Sequence, residues 1–80
     1  MTEMIWITPA LAGLMLTHNS PENRPLDEAK VRDMVTGIEQ GTLQHRRPLE
    51  FRGHTLVNGQ HRLSAVIAAG LSAYMPVDWA

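Results

Sequence analysis

No cysteine occurs in the 80 residues. Its absence excludes disulfide staples, thiolate zinc sites and a cysteine nucleophile, and it fits a reducing cytosol. Long apolar runs are missing too. Stretches such as Ala10 to Leu16 fall far short of the ~20 residues a membrane span needs, so no membrane partner is expected. Met1 to Met4 hold no basic side chain ahead of that stretch. A secretory signal is therefore not expected, and the cytoplasm is the expected compartment. Aromatics are few: Trp6, Phe51, Tyr74 and Trp79. Base stacking needs several of them exposed on one sheet face. A domain this small is expected to use most of them in its core, with Met4, Met15, Met34 and Met75 as gap-fillers. A strong charge of one sign is also lacking. The net charge of −1 speaks against indiscriminate nucleic-acid binding.

What is present suffices for one domain, residues 1–80, with 44% apolar side chains. A core of this size stabilises only marginally. The charges are unevenly placed. Acids collect at Glu22, Asp27, Glu28, Asp33 and Glu39. Arg46, Arg47, Arg52 and Arg62 then follow with only Glu50 between them, and His45, His54 and His61 lie in or beside that segment. This reads as two solvated faces of opposite sign, or as a basic face for a negatively charged partner.

Local signals give an order of elements. Thr8-Pro9 opens a first helix, with threonine as cap and proline at the first helical position. Leu11, Leu14 and Met15 form its apolar face, and Thr17 to Pro21 end it. Asp27 caps a second helix with Val31, Met34, Val35 and Ile38 at helical spacing. Gly41 stops it, and Gly37 inside it permits close packing. Leu49 to Phe51 and Thr55 to Val57 flank Arg52-Gly53-His54 as a hairpin. After Asn58-Gly59 comes a third helix with Leu63, Val66 and Ile67 as its buried stripe and Gly70 at its end. A last strand spans Tyr74 to Trp79, where Pro76 favours an edge or a bulge. A further strand is expected at Met4 to Ile7. The expected fold is α+β, three helices packed on a small mixed sheet containing a hairpin.

The densest chemistry lies at Asn58-Gly59-Gln60-His61-Arg62-Leu63-Ser64-Ala65. A glycine turn feeding a helix aims free N–H groups and the positive end of the helix dipole at one point, which suits phosphate. His61 and Arg62 are the candidate phosphate contacts. The alternative is that Arg62 pairs with an acid and His61 packs on the hairpin. Gln60 either reads an anion or base edge or caps its own helix. Arg46 and Arg47, with Arg52, are candidates for contact with phosphate or an acidic protein surface, or else sit in a solvated loop. His45, His54 and His61, nine and seven residues apart, lack zinc-site spacing, so no metal site is expected. Ser64, a turn inside the helix, is expected to pack rather than act as a nucleophile.

The succession Arg24-Pro25-Leu26, Ile38-Glu39-Gln40-Gly41, Pro48-Leu49-Glu50-Phe51, Asn58 to Ala65, Ala69-Gly70 and Met75-Pro76-Val77 resembles the ParB/sulfiredoxin superfamily. It is most similar to short phage and mobile-element members with an NGQHRL run. The likeness covers roughly Ile7 to Trp79 and implies a compact α+β domain that holds nucleotide phosphates at the glycine turn. Gly59, His61 and Arg62 match that turn, with Gln60 among the candidate anion contacts inside it, and Arg24 resembles the arginine of the first ParB box. A nucleoside triphosphate, CTP or ATP, with magnesium is the implied cofactor. Gln60 stands where sulfiredoxins carry the catalytic cysteine and ParB proteins a glutamate. An amide is neither a thiolate nor an effective base, and it is a weak magnesium ligand. A non-catalytic module is therefore expected. The likeness ends at the last strand, so helix-turn-helix DNA binding is not implied. The expected ligand is a nucleotide or a nucleic-acid backbone. The alternatives are an anti-defence inhibitor of anti-CRISPR type, acting on a host nucleic-acid-handling complex, and a residual nucleotidase or nuclease.

Overall fold

The structure, a computed structural model, describes residues 1–43 and 47–79. In chain order the elements are β1 (Thr2–Ile7), α1 (Pro9–Leu16), α2 (Glu28–Gln40), β2 (Leu49–Arg52), β3 (Thr55–Asn58), α3 (Gln60–Ala69) and β4 (Ala73–Asp78). Three helices thus accompany a four-stranded mixed sheet of order β1-β4-β2-β3, the small α+β architecture expected. β1 runs antiparallel to β4, β2 antiparallel to β3, and β2 parallel to β4.

The helix boundaries follow from local chemistry. The Thr8 hydroxyl accepts the Leu11 N–H at 3.1 Å, and Pro9 opens α1. The Asp27 carboxylate accepts the N–H groups of Ala29 and Lys30 at the start of α2. Gly41 ends α2 at φ 70°, in the left-handed region that glycine enters freely. The chain then doubles back. Thr42 and Leu43 both donate to the Gly37 carbonyl, and a Cβ at Gly37 would lie 3.2 Å from the Leu43 backbone. Gly37 therefore has the packing role expected of it.

The core lies between the sheet and the helices. Ile7, Leu49, Leu56, Leu63, Val66, Met75 and Val77 are fully buried. Each contributes about 1.5–3 kcal/mol by leaving water. Helix α3 packs against both α1 and α2, so it forms the central pillar. No residue of α2 is fully buried.

Several expectations are corrected. The first strand begins at Thr2 rather than Met4. Leu14 and Ile67 are exposed, at 60% and 43%, and Ala12 and Ala65 take the buried positions instead. Met4, Trp6 and Tyr74 are also exposed, on the sheet face away from the core. Only Phe51 of the four aromatics is buried, stacked on Trp79 at 5.1 Å.

Pro76 sits in a central strand, not at an edge. Two features permit this. Parallel pairing with β2 involves only Val77 and Asp78, so no β2 residue is paired with Pro76. Against β1, Pro76 faces Met4. Trp79 N–H donates to the Met1 carbonyl at 3.3 Å, which makes Met1 and Trp79 a hydrogen-bonded pair. Alternation along an antiparallel ladder then makes Met4 and Pro76 a non-bonded pair, where no N–H is required. Trp6 and Tyr74 form another such pair, whose closer side chains account for ring centroids only 4.7 Å apart.

Candidate anion-binding cleft

The residues before α3 set its position. β3 ends at Asn58, and Gly59 turns the chain at φ 115° into the first helical turn. The turn rests on Leu49, since a Cβ on Gly59 would lie 2.3 Å from Leu49 Cδ2. No side chain caps α3. The N–H groups of Gln60 and His61 meet no acceptor among the described residues. They open onto a cleft of about 440 Å³ lined by Asn23, Arg24, Arg47, Val57, Asn58, Gly59, Gln60 and His61.

The segment between α1 and α2 forms one wall, held by amide side chains. Asn19 Nδ2 donates to Gln60 Oε1 at 2.9 Å, and Gln60 Nε2 donates to the Arg24 carbonyl. Asn23 Nδ2 bridges Asn19 Oδ1 and the Leu56 carbonyl at 2.6 and 3.0 Å. The His18 carbonyl and the Ser20 N–H bond the backbone of Leu56. The backbone at Arg24 is thereby fixed to the start of α3, while its side chain remains exposed.

Each candidate residue can now be placed. Arg24, Gly59, Gln60 and His61 line the cleft, and Arg47 joins them. Arg47 Nη2 also pairs with Glu50 at 2.6 Å, which offsets part of its charge. Gln60 does not cap its own helix. Both ends of its amide tie the wall to α3. Arg62 is not among the cleft-lining residues. It is 7% exposed, and its Nη1 donates to the Arg47 carbonyl at 2.6 Å. Burial lowers its pKa from the ordinary guanidinium value, Glu50 opposes that shift, and Arg47 adds to it. Arg52 lies beside the Gly53-His54 turn, at the opposite end of the hairpin from Asn58. The described candidate arginines therefore do not share one face: Arg24 and Arg47 line the cleft, and Arg52 stands apart. Arg46 and His45 lie outside the described residues.

His61 is held in one protonation state. The Asp27 backbone N–H donates to its Nε2 at 2.9 Å, so that nitrogen carries a lone pair and Nδ1 carries the proton. Burial, then the charge of Lys30, lowers the His61 pKa, while the Asp27 carboxylate opposes them. The unfolded chain therefore takes up this proton before the folded one does. The stability contributed is complete above the ordinary value of about 6.5 and is lost as pH falls below it toward the folded pKa. In an NMR titration, the His61 imidazole signals are expected to report a midpoint below 6.5. Denaturation midpoints should fall less steeply between pH 7 and 5.5 in His61→Gln, whose amide oxygen can still accept from Asp27. A His61 midpoint at or above 6.5 would contradict this.

Sequence reasoning missed Asn19 and Asn23 as builders of the cleft. Their signal was two asparagines four apart in a non-helical stretch, where such side chains bond to backbone and to one another. A second hollow, about 450 Å³, lies between α1 and the hairpin turn. Leu11, Leu14, Met15, Phe51 and Trp79 make it mostly apolar, with His18 and His54 as its polar side chains. No protein-family model, curated protein or solved structure matches the chain. Among the described residues, no helix is long and apolar enough to cross a membrane.

Proposed function

We propose that the chain is a non-catalytic binding module that holds the phosphate group of a nucleotide in the cleft at the N-terminus of α3. The observation that carries this reading is the convergence of two features in one cleft. One is the pair of N–H groups of Gln60 and His61, which meet no acceptor among the described residues. The other is the pair of arginines, Arg24 and Arg47, that line the same cleft. N–H groups and dipole favour an anion, and guanidinium forks match phosphate oxygens. A volume of about 440 Å³ falls within the usual range for small-molecule sites. Val57 offers an apolar wall for a base or sugar. The likeness of the Asn58 to Ala65 run to the ParB/sulfiredoxin turn supports the same ligand class.

Binding without turnover is part of the proposal. Gln60 replaces the acid or thiol of those relatives, and both ends of its amide are occupied. An amide oxygen is too weak a base to take a proton in the cleft. The test is calorimetric titration with CTP, ATP, inorganic phosphate and a short single-stranded DNA. Nucleotide binding is expected, weakened about 10- to 100-fold in Arg24→Gln, the equivalent of losing one charge-assisted bond of about 1.5–3 kcal/mol. Absence of nucleotide and phosphate binding, or equal affinity in Arg24→Gln, would overturn the reading. DNA binding without nucleotide binding would move the ligand to a nucleic-acid backbone.

A further inference from the structure

The ParB/sulfiredoxin likeness implies a nucleoside triphosphate with magnesium, and the donor set of the cleft does not fit that metal. Magnesium takes hard oxygen ligands and is ordinarily bound through one or two carboxylates together with substrate phosphates. No carboxylate lines the cleft. Its side chains are two guanidiniums, an imidazole, three amides and Val57. Gln44, His45 and Arg46, outside the described residues, add no acid. Among the described residues, two acidic ones bond to the lining, and both carboxylates are engaged. Asp27 Oδ1 accepts the N–H groups of Ala29 and Lys30 at 3.0 and 3.4 Å. Glu50 Oε1 holds Arg47 Nη2 at 2.6 Å. His61 is closed to a metal as well. Its Nε2 accepts the Asp27 N–H at 2.9 Å and its Nδ1 carries the proton, so neither ring nitrogen is open.

We propose that the cleft takes a nucleoside monophosphate free of metal, and that magnesium works against nucleotide binding there. This rests on the phosphate-binding reading above. Guanidinium groups are donors only, and each needs a phosphate oxygen. A magnesium ion held by phosphate oxygens and water alone occupies those same oxygens. Charge points the same way. A single terminal phosphate carries about −1.5 to −2 at pH 7. Arg24 and Arg47 supply two positive charges, the second shared with Glu50. Each further phosphate adds negative charge that no other lysine or arginine among the lining residues offsets. A metal ordinarily neutralises that charge, but it does so by taking the oxygens the arginines would bond.

Glu50 is then a rival of the ligand and not a holder of its metal. Its carboxylate grips the guanidinium that the phosphate needs, and Glu50 itself does not line the cleft. The Arg47 side chain is 70% exposed, so it has room to turn from the carboxylate to the phosphate. An exposed pair of this kind is weak enough to be given up for a doubly charged anion.

Calorimetric titration of the full chain with CMP and CTP, each in EDTA and in millimolar magnesium, tests this. CMP is expected to bind equally well in both buffers. Magnesium should weaken CTP about tenfold or more, the equivalent of one charge-assisted bond, and leave it below CMP. Glu50→Gln should tighten CMP about two- to fivefold by releasing Arg47. CTP that keeps or gains affinity when magnesium is added would overturn the proposal. So would CTP that still binds as tightly as CMP in magnesium, or a folded Glu50→Gln that binds CMP more weakly. Binding that requires magnesium would overturn this inference alone and leave the phosphate site standing. No binding of either nucleotide in either buffer would remove the phosphate site and the inference together. The titrations of the unaltered chain decide the matter even where Glu50→Gln fails to fold.

Discussion

Replacing Gly59 by alanine is expected to destabilise the protein by about 2–6 kcal/mol and to distort the cleft with it. Two costs combine. At φ 115° and ψ 6° the backbone occupies a region that L side chains rarely enter, at a cost of about 1–3 kcal/mol. The new methyl group would also lie 2.3 Å from Leu49 Cδ2. Leu49 is fully buried, so its side chain has nowhere to swing, and the helix start or β2 must shift instead. Overpacking of that kind costs about 1–3 kcal/mol more. A domain of this length is expected to have about 4–12 kcal/mol in all. Urea denaturation measures the effect. Gly41→Ala is the control, because Gly41 has φ 70° but nothing within 4 Å of an added Cβ. Its loss should be smaller, from backbone strain alone. Equal losses at the two glycines would show that the contact with Leu49 costs nothing.

That pair of glycines marks where a sequence can be read and where it cannot. Thr8-Pro9, Asp27, Gly41 and Gly70 bound their helices as expected, because a cap is decided within a turn of the chain. The hairpin was legible for the same reason, with glycine at its turn. Other positions depend on partners distant in the chain. Pro76 is tolerated in a central strand because the parallel pairing with β2 starts at Val77 and because it faces Met4 of β1 as a non-bonded pair. Ile67 and Leu14 carry the apolar period of buried positions, yet α1 and α3 present them to water while Ala12 and Ala65 face inward. Small residues at the interior positions let α1 and α3 approach, and hydropathy alone does not reveal that. Trp6, Tyr74 and Met4 lie on a face that no described element covers. Their exposure follows from topology, with all three helices on the other side.

The cleft divides in the same way. The glycine turn and the helix start were legible from Asn58 to Arg62, and Arg24 was legible only through a resemblance. The fixing of Arg24 by Gln60 spans 36 residues, and that of Gln60 by Asn19 spans 41. No local pattern encodes such a contact. The two sides of the cleft are joined by amide groups rather than charges, which leaves the Arg24 side chain available. An amide can donate and accept at once, so a few asparagines and one glutamine satisfy several backbone groups without adding charge beside an anion site.

Arg62 separates the two halves of this account, and its substitution is the second large effect expected. Arg62→Met should lower stability by about 2–3 kcal/mol, mainly by deleting a charge-assisted bond to the Arg47 carbonyl. The physical argument begins with a conflict. A cation in the first turn of a helix opposes the dipole, and burial adds a desolvation cost. These costs are met by the bond from Nη1 to the Arg47 carbonyl and by the nearby carboxylate of Glu50. Methionine fills much of the same space but leaves that carbonyl without its donor. The chain at Arg47 and Pro48, which leads into β2, then loses its link to α3. Because Arg47 lines the cleft, phosphate affinity should fall as well, by less than in Arg24→Gln. The contrast decides the role of each residue. Arg24→Gln is expected to lose affinity at nearly unchanged stability, since its side chain is exposed and carries none of the structural bonds described. Arg62→Met is expected to lose stability first and affinity as a consequence. Calorimetry for binding and urea titration for folding, run on both variants at one pH and salt, separate the two. If Arg62→Met kept its stability and lost its phosphate, Arg62 would be a direct ligand, and the inward guanidinium would have to turn outward when the anion arrives.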